Sequence, residues 1–431
     1  MGVVLLKRKL TSFQIIIFGF SGVILFGTFL LMLPFSSRSG LATPFSEALF
    51  TSTSAVCVTG LIIHDTATYW SAFGQFVILL LIQIGGMGVI TVAASFAMIF
   101  GRKISLMQRC TMQEAISAPK VGGIVRLTGF IVRVTLVMEL LCAAVMAPVF
   151  CRAFGKIGLW MALFHSVSAF CNAGISTLSG NMYDPLVADK YNLHFWIAML
   201  IIFGGLGFPI VFDYLKLLHH LLMNGIKILI GKQKHYIHTP RIINVHTYIV
   251  VISTLILLIT GTAFYLFFEY DNTLGDLPLR GKLANAFLGA VTPRTAGFNV
   301  ADMATLAPPT LMLTLILMVI GAAPMSTGGG LKVTTVFVAL VTTLNAAREK
   351  DKVEVRKREI APFAIRRAFA IIMMYFMWVA IATWVLSYTE KGAPLFSLLF
   401  EVVSALSTVG LSIDYTPHLT PIGKIIIIST M

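Results

Sequence analysis

The chain carries one short pattern four times. Each copy places a phenylalanine ten positions before a glycine, and the glycines lie 114, 123 and 113 residues apart. The pairs are Phe50 and Gly60, Phe164 and Gly174, Phe287 and Gly297, and Phe400 and Gly410. Serine and alanine stand six and five positions before the glycine in three copies, whereas the third has Val291 and Thr292. A fixed offset that recurs four times predicts four copies of one structural unit.

Each glycine has the same hydropathic surroundings. A long apolar run comes first, followed by a segment the length of a short helix, the glycine, a polar connector and a second long run. The short segment cannot span a bilayer, because a spanning helix takes about 20 residues. Irregular backbone at membrane depth is stable only where protein buries it or where it lines a water-filled cavity. We therefore predict an all-α polytopic membrane protein with four pseudo-symmetric helix–pore loop–helix repeats around one central pore.

Composition agrees with a place in the bilayer. The chain is 57% hydrophobic and 12% charged, with a mean hydropathy of +0.90. So apolar a chain cannot cover a soluble surface with polar groups. Its long continuous apolar runs also differ from the alternating strands of a membrane β-barrel.

The net charge of +14 is unevenly distributed. Of the 32 Lys and Arg residues, 21 lie in the segments 1–11, 101–126, 213–241 and 345–367, whereas the opposite connectors hold seven. By the positive-inside rule, the amino terminus and the linkers between repeats are cytoplasmic, and the glycine loops enter from outside. The charge therefore indicates topology, and we expect no nucleic-acid partner.

These segments predict the organisation of the chain. A cytoplasmic amino terminus (1–11) precedes repeat 1 (12–104), a linker (105–125), repeat 2 (126–222), a linker (223–241), repeat 3 (242–346), a linker (347–365) and repeat 4 (366–431). Glycine clusters begin 25, 30 and 24 residues after the first three repeated glycines. The fourth counterpart would fall beyond residue 431, so we expect the natural protein to continue and repeat 4 to be truncated in its inner helix.

The loops that end in the repeated glycines have the chemistry of a cation filter. A pore helix that enters from outside directs its carbonyl end, with about half a negative charge, toward the bilayer centre. Rings of backbone carbonyls replace the hydration shell of potassium, and glycine accepts the backbone angles that such a loop needs. One glycine alone would favour simple helix packing, but four at a fixed offset favour a filter. The predicted filter residues are Val58, Thr59, Gly60, Asn172, Ala173, Gly174, Thr295, Ala296, Gly297, Thr408, Val409 and Gly410.

The third inner run contains a break. Pro324 and three successive glycines, Gly328 to Gly330, interrupt it. Within a helix, each glycine costs about 1 kcal/mol and proline about 3 kcal/mol, so no straight helix is expected. The segment 321–332 is predicted to be a flexible intramembrane loop beneath the filter, and a simple packing kink stays the alternative. Lys332 follows at membrane depth, where an unpaired ammonium is costly, so a functional or paired role is the default.

Several of these motifs resemble one family. They are Thr295-Ala296-Gly297-Phe298, Ser404-Ala405, Thr408-Val409-Gly410-Leu411 and the run from Ser326 to Lys332. With the fourfold plan, they resemble the Trk/Ktr/HKT superfamily of potassium uptake proteins over essentially the whole chain. The resemblance is closest to the KtrB-type membrane subunit, because no extra pair of helices precedes the first repeat. A glycine in all four loops fits the potassium-preferring members.

The resemblance implies a mechanism, a cargo and partners. The break would be an intramembrane gate, whose residues are Gly321, Pro324, Ser326, Thr327, Gly328, Gly329, Gly330 and Lys332. Lys332 would repel cations in the closed state. Potassium would be the transported ion, bound at the filter residues, with sodium dependence left open and no organic cofactor. The chain would lie in the cell inner (plasma) membrane in contact with lipid, as a homodimer docked on a cytosolic ring of nucleotide-binding KtrA-type subunits.

Polar residues near the loops give further expectations. Arg294 should point behind the third loop, toward carbonyls or a carboxylate, with Glu401 as a candidate partner. Asn172 should either line the pore or pack behind the filter. Glu47 should be a carboxylate at the start of a helix on the outer rim. Glu139 and Arg133 should form a structural pair.

The remaining features are less specific. The linker from Arg348 to Arg367 alternates in charge, which predicts a solvated helical face. The five cysteines have no metal-ligand or disulfide spacing, so we expect no disulfide. A membrane enzyme would need an intramembrane His, Asp or Ser constellation, which the sequence lacks. A proton- or sodium-coupled secondary symporter of the TrkH type stays the alternative function, although its relay would need more buried carboxylates.

Overall fold

The structure, a computed structural model, describes residues 11–99, 106–116, 123–229, 245–349, 353–355 and 358–431. The predicted all-α plan of four helix–pore loop–helix repeats is confirmed. Each repeat has an outer helix, a short pore helix and one or two inner helices. The outer helices are α1 (Ser12–Met32), α6 (Ile124–Phe154), α10 (Val245–Glu269) and α14 (Pro362–Thr389). The pore helices are α2 (Phe45–Val56), α7 (Ile157–Phe170), α11 (Leu279–Val291) and α15 (Leu395–Leu406). The inner helices are α3 (Ala72–Met87), α4 (Val89–Ile99), α8 (Tyr191–Leu206), α9 (Phe208–Leu229), α12 (Pro308–Val319), α13 (Val333–Ala346) and α16 (Pro421–Thr430).

The four outer helices are long and apolar enough to cross a membrane. Large apolar side chains remain exposed along them, such as Phe18, Phe267 and Trp384. Such a surface is unfavourable in water and suits contact with lipid tails. A capping box at Thr11 and Gln14 fixes the start of α1, and Pro362 in the first turn of α14 supplies a backbone angle already suited to a helix.

The pore helices are buried between the other elements. Each has 12 to 14 residues, too few to span. Three of the four repeated phenylalanines, Phe50, Phe164 and Phe400, are completely buried, whereas Phe287 is partly buried. The repeated phenylalanine therefore holds each pore helix in the core.

The inner runs break at their glycines. We predicted a break only in the third run, but the first also breaks at Gly88 and the second at Gly207, where φ is +82° and +89°. The second pair of helices bends by 101°. Glycines just before the breaks allow close packing, because a Cβ on Gly85 would stand 2.1 Å from the Val56 carbonyl oxygen and a Cβ on Gly204 2.1 Å from that of Phe170. Both carbonyls belong to the last residues of pore helices.

The linkers also contain regular structure within the described residues. Helix α5 (Leu106–Ile116) lies in the first linker, and α9 continues to Leu229, beyond the predicted end of repeat 2 at residue 222. In the last linker, strands β1 (Glu354–Val355) and β2 (Arg358–Glu359) pair antiparallel, with Glu354 opposite Glu359. The predicted helical face is wrong at these four residues, because alternating charge also suits a solvated pair of strands.

Candidate ion filter and intramembrane loop

The four filter loops share one backbone conformation. In each, the glycine and the residue two positions before it have positive φ, whereas the residue between them does not. The positive angles are 56° and 90° at Val58 and Gly60, 61° and 67° at Asn172 and Gly174, 70° and 74° at Thr295 and Gly297, and 53° and 86° at Thr408 and Gly410. The backbone of each loop thus alternates between positive and negative φ. This alternation turns successive peptide groups to one side, which neither a helix nor a strand does. Non-glycine residues rarely adopt such angles, so the surrounding structure must enforce them.

The four glycines meet in a closed ring. A Cβ on Gly60 would stand 2.3 Å from the Ala173 carbonyl oxygen, and one on Gly174 would stand 2.5 Å from that of Ala296. The corresponding distances are 2.3 Å from Gly297 to Val409 and 2.4 Å from Gly410 to Thr59. Each glycine thus touches the carbonyl of the next loop, so the loops follow chain order around one axis. No residue other than glycine fits at these positions without displacing backbone.

Hydrogen bonds from the pore helices shape the loops. The serine six positions before the glycine accepts from the glycine amide, at 3.1 Å for Ser54 and 3.1 Å for Ser404. In the second repeat, the Ser168 hydroxyl instead donates to the Ile175 carbonyl oxygen at 2.7 Å. The third repeat, which has Val291 there, binds its glycine amide through the Thr292 carbonyl at 3.3 Å. The repeated serine therefore holds the filter loop in its conformation in three of the four repeats. The sequence pattern showed that the serine recurs but did not show this role.

The pore helices end at the filter. Their C-terminal caps are Cys57, Cys171, Thr292 and Ser407. Three of these stand directly before the predicted filter residues, whereas Pro293 and Arg294 separate Thr292 from Thr295. The carbonyl ends of four helices therefore converge on the ring, and their partial negative charges favour a cation there.

A polar cavity of about 230 Å³ lies on the outer side of the ring. The four filter glycines form its floor, and Ser176, Ser412, Asp65 and Asp414 are among its other lining residues. Asp414 lies in the connector outside the membrane-spanning segments. Its partial burial raises its pKa above the ordinary value, and the nearby Asp302 raises the pKa further. Hydroxyl and carboxylate oxygens at this mouth suit a cation.

The intramembrane loop folds back on itself between α12 and α13. The Gly321 amide donates to the Leu331 carbonyl at 2.9 Å, and the Ala322 amide donates to the Gly329 carbonyl at 3.2 Å. The Ser326 hydroxyl bonds the Ala323 carbonyl at 2.6 Å. A packing kink would need no such turn. These bonds hold the segment in the conformation described here.

The second repeat holds this loop beneath the filter. The Thr327 hydroxyl donates to the Phe170 carbonyl at 3.1 Å, and the Thr327 amide donates to the Gly204 carbonyl at 3.2 Å. The Phe208 amide donates to the Met325 carbonyl at 3.1 Å. A Cβ on Gly207 would stand 2.7 Å from the Pro324 carbonyl oxygen. The break at Gly207 in the second inner run, which the sequence did not predict, thus leaves room for the intramembrane loop of the third run.

The tip of the loop touches the filter itself. A Cβ on Gly328 would stand 2.1 Å from the Thr295 hydroxyl oxygen, and a Cβ on Gly329 would stand 2.2 Å from that of Thr408. Gly330, at φ +66°, packs against Gly321. Two of the three successive glycines therefore lie directly under two filter loops.

Lys332 stabilises this tip. Its Nζ donates to the Gly328 carbonyl at 2.6 Å. It also lines a cavity of about 270 Å³ on the inner side, together with Ser326, Thr327, Gly88 and Thr91. The ammonium therefore lies beside the passage below the filter.

Asn172 lies on the inner side of the filter. Its amide nitrogen is 3.4 Å from the Thr295 hydroxyl, which joins the second and third loops. A Cβ on Gly328 would stand 3.1 Å from the same nitrogen. Its side-chain oxygen is buried and has no hydrogen-bond partner among the described residues. The side chain thus faces the tip of the intramembrane loop.

The two charge pairs expected from the sequence do not form. Arg294 points behind the third loop, among apolar residues such as Ile201 and Leu258. Its predicted pairing with Glu401 is wrong, because Nη2 contacts only the Thr254 hydroxyl, at 3.4 Å, and Nε has no partner among the described residues. Glu401 instead accepts from hydroxyl groups of its own repeat.

The predicted pair of Glu139 and Arg133 is also wrong. Glu139 is 2% exposed, and it accepts from Gln83 at 3.1 Å and from the Cys171 thiol at 3.7 Å. Arg133 Nε donates to the Gly129 carbonyl of its own helix. Residues six apart lie about 240° apart around a helix, so the two side chains face different surroundings. Glu139 therefore supports the second filter loop through Cys171.

Glu47 lies in the first turn of α2, as expected. Its carboxylate is 2.7 Å from His64 Nε2 and 3.8 Å from Lys424 Nζ. Sequence reasoning missed both partners, and it also missed His165, which is buried in the second pore helix. Within the described ranges, no group of three His, Cys, Asp or Glu residues could hold a metal, and all five cysteines are free thiols.

Comparisons with known proteins agree with this architecture. Residues 7–431 match the family described as TrkH, cation transport protein. The sequence is 38% identical to the potassium/sodium uptake protein NtpJ of Enterococcus hirae, over 99% of this chain and 90% of that protein. It is 36% identical to the Ktr system potassium uptake protein B of Bacillus subtilis, over 98% of this chain and 90% of that protein. The protein of the same description from Vibrio alginolyticus is also 36% identical, over 99% and 89%.

A solved structure shows the same fold. The potassium transporter TrkH from Vibrio parahaemolyticus superimposes with a TM-score of 0.74 and covers 99% of this chain and 83% of its own. At 16% identity, this likeness concerns the fold alone.

Proposed function

The chain belongs to the TrkH family of cation transport proteins, and from this premise we propose that it takes up potassium through the filter ring. Its relatives carry the names of potassium uptake proteins, and one is named for potassium and sodium. As a member of a transporter family, the chain is an ion transporter and not an enzyme.

The closed ring of four glycines is the observation that carries the proposal. Each loop places a glycine against a carbonyl of the next loop, and the outer cavity opens onto the same four glycines. Carbonyl oxygens coordinate a weakly hydrated cation in place of water. We assign potassium binding to the filter residues Val58 to Gly60, Asn172 to Gly174, Thr295 to Gly297 and Thr408 to Gly410. A role for sodium, as an activating ion or as a second transported ion, is supported only by the name of the Enterococcus relative.

The intramembrane loop serves as the gate in this proposal. Gly328 and Gly329 lie under two filter loops, and Lys332 holds the tip by a charge-assisted hydrogen bond. The ammonium adds electrostatic repulsion to the steric obstruction. Conduction then requires that Gly321 to Gly330 move away from the axis.

Assembly follows the Ktr resemblance. We propose a pore subunit in the plasma membrane, with lipid around the outer helices and the amino terminus in the cytoplasm. A homodimer docked on a cytosolic nucleotide-binding ring is the arrangement implied by the Ktr-type relatives. The excess of Lys and Arg in the segments between repeats supports this orientation.

Rubidium uptake by potassium-starved cells that lack other uptake systems tests the filter. We expect Gly297→Ser and Gly410→Ser to lower uptake and the discrimination against sodium, because a Cβ at either position meets a backbone oxygen at 2.3 Å or 2.4 Å. Gly22→Ser is the matched control, because no atom lies within 4 Å of a Cβ there. Wild-type uptake and selectivity in both filter variants would overturn the assignment.

A further inference from the structure

The pore-helix residue nine positions before the filter glycine differs between repeats. It is His165 in the second repeat and Glu401 in the fourth, but Thr51 in the first and Leu288 in the third. His165 and Glu401 are both completely buried. Two ionisable groups therefore occupy equivalent places behind the filter, in alternate repeats.

His165 binds the serine two positions after its filter glycine. His165 Nε2 is 2.9 Å from Ser176 Oγ, and Nδ1 is 2.7 Å from the Met161 carbonyl oxygen. A carbonyl only accepts, so this network assigns the proton to Nδ1 and leaves Nε2 to accept from the serine. The Ser176 hydroxyl then donates to Nε2 at 2.9 Å, the shorter of its two contacts with an acceptor, since the Leu178 carbonyl oxygen lies at 3.3 Å.

Glu401 makes the equivalent bond in the fourth repeat. Its carboxylate accepts from the Ser412 hydroxyl, which is also two positions after a filter glycine. The second carboxylate oxygen accepts from the Thr416 hydroxyl at 2.5 Å. His165 and Glu401 are chemically different, but they occupy the same position of the pore helix. Each bonds to a serine at the same position after the filter glycine.

The other two repeats lack this connection. Thr51 bonds back to the Glu47 carbonyl of its own helix at 3.0 Å, and Leu288 has no polar group. Ile62 and Asn299 replace the serine there. Because the loops follow chain order around the axis, the second and fourth repeats face each other. The two bonds therefore act on opposite sides of the pore.

Both serines lie at the mouth of the filter, where they line the outer cavity with the four glycines. We propose that His165 and Glu401 are positioning residues that hold two opposite filter loops through Ser176 and Ser412, and so set ion selectivity. This inference rests on the proposed filter. Carbonyl coordination depends on loop geometry, so loss of a bond behind one loop weakens the discrimination between ions.

Purified protein in liposomes, assayed for rubidium and sodium uptake, tests the inference. We expect His165→Leu and Glu401→Leu each to lower the rubidium-to-sodium ratio by about fivefold to tenfold, the factor that a lost hydrogen bond of about 1 kcal/mol or more corresponds to. Leucine fits this helix position in repeat 3, and Leu288→Met is the matched control with an unchanged ratio. Glu401→Gln, whose amide oxygen still accepts from Ser412, should stay within about threefold of wild type.

Smaller substitutions keep the test independent of folding. Ser176→Ala and Ser412→Ala should lower the ratio as the leucine variants do, and Glu401→Leu combined with Ser412→Ala should add nothing further. Equal damage by Glu401→Gln and Glu401→Leu would overturn the positioning role in favour of the charge. Wild-type ratios in the serine and leucine variants would also overturn it, provided that Gly410→Ser loses selectivity. If Gly410→Ser also kept the wild-type ratio, the filter itself would be wrong.

Discussion

Gly328 in the intramembrane loop lies directly against Thr295 in the third filter loop. A Cβ on Gly328 would stand 2.1 Å from the Thr295 hydroxyl oxygen and 2.6 Å from the Ala322 Cβ. Both residues belong to the third repeat, Thr295 to its filter loop and Gly328 to the intramembrane loop beneath it, so their contact joins these two elements.

Gly328→Ala is expected to displace the loop from the filter and to raise basal rubidium efflux by several-fold. The added methyl group cannot fit without movement of the loop, because it meets Ala322 as well as Thr295. Tracer efflux from liposomes is the measurement. Gly22→Ala, with open space around its Cβ, should leave efflux unchanged. Reduced efflux in a well-folded Gly328→Ala protein would indicate a structural role for the loop rather than a gate.

Lys332→Met should also raise basal efflux, by about tenfold, because a hydrogen bond from a charged group contributes about 1.5–3 kcal/mol. The bond lost is the one from Nζ to the Gly328 carbonyl, and the repulsive charge is lost with it. Efflux is again the readout, with the exposed Lys391→Met as control. Unchanged efflux would remove Lys332 from the gate.

Asp414 should make uptake depend on external pH. Burial and the neighbouring Asp302 raise its pKa, so it takes up a proton at higher pH than an ordinary aspartate. The carboxylate attracts cations to the outer cavity, and its protonation removes that attraction. As external pH falls, the KM for rubidium should therefore rise, more steeply at low ionic strength.

Asp414→Asn should give the high KM already at neutral pH, with a flatter pH profile. Asp65 also lines this cavity, and Tyr183, Asp302 and His418 lie close enough to influence charge there, so a residual slope is expected. Asp271→Asn, at an exposed position, is the control. A pH profile that is the same with and without Asp414 would contradict this prediction.

Glu269→Leu should destabilise the protein by about 3 kcal/mol, because removal of this completely buried carboxylate would leave several hydrogen-bond donors unpaired. It accepts from the Thr310 hydroxyl at 2.5 Å and from the Ala307 amide at 2.9 Å, which joins α10 to the start of α12. The thermal unfolding midpoint in detergent measures the loss, with Asp271→Asn as the control. An unchanged midpoint would show that water replaces these bonds.

The repeats, the short pore helices and the filter loops could be predicted because their signals are local. Hydropathic length separates spanning from non-spanning helices, and a glycine at fixed offset marks each loop. Long-range polar partners could not be predicted. Glu139 was assigned to a residue on its own helix, whereas its donors come from Gln83 and Cys171 of two other elements.

The sequence by itself determined four copies of one unit and the loops that end in Gly60, Gly174, Gly297 and Gly410, because apolar runs and glycines act through short-range physics. Only the tertiary structure decided the chain order around the ring, the breaks at Gly88 and Gly207, and the partners of the buried polar groups. A buried donor or acceptor must find a partner in a medium without water. Which side chain supplies that partner depends on how the repeats pack, as the bonds of His165 to Ser176 and of Glu401 to Ser412 illustrate.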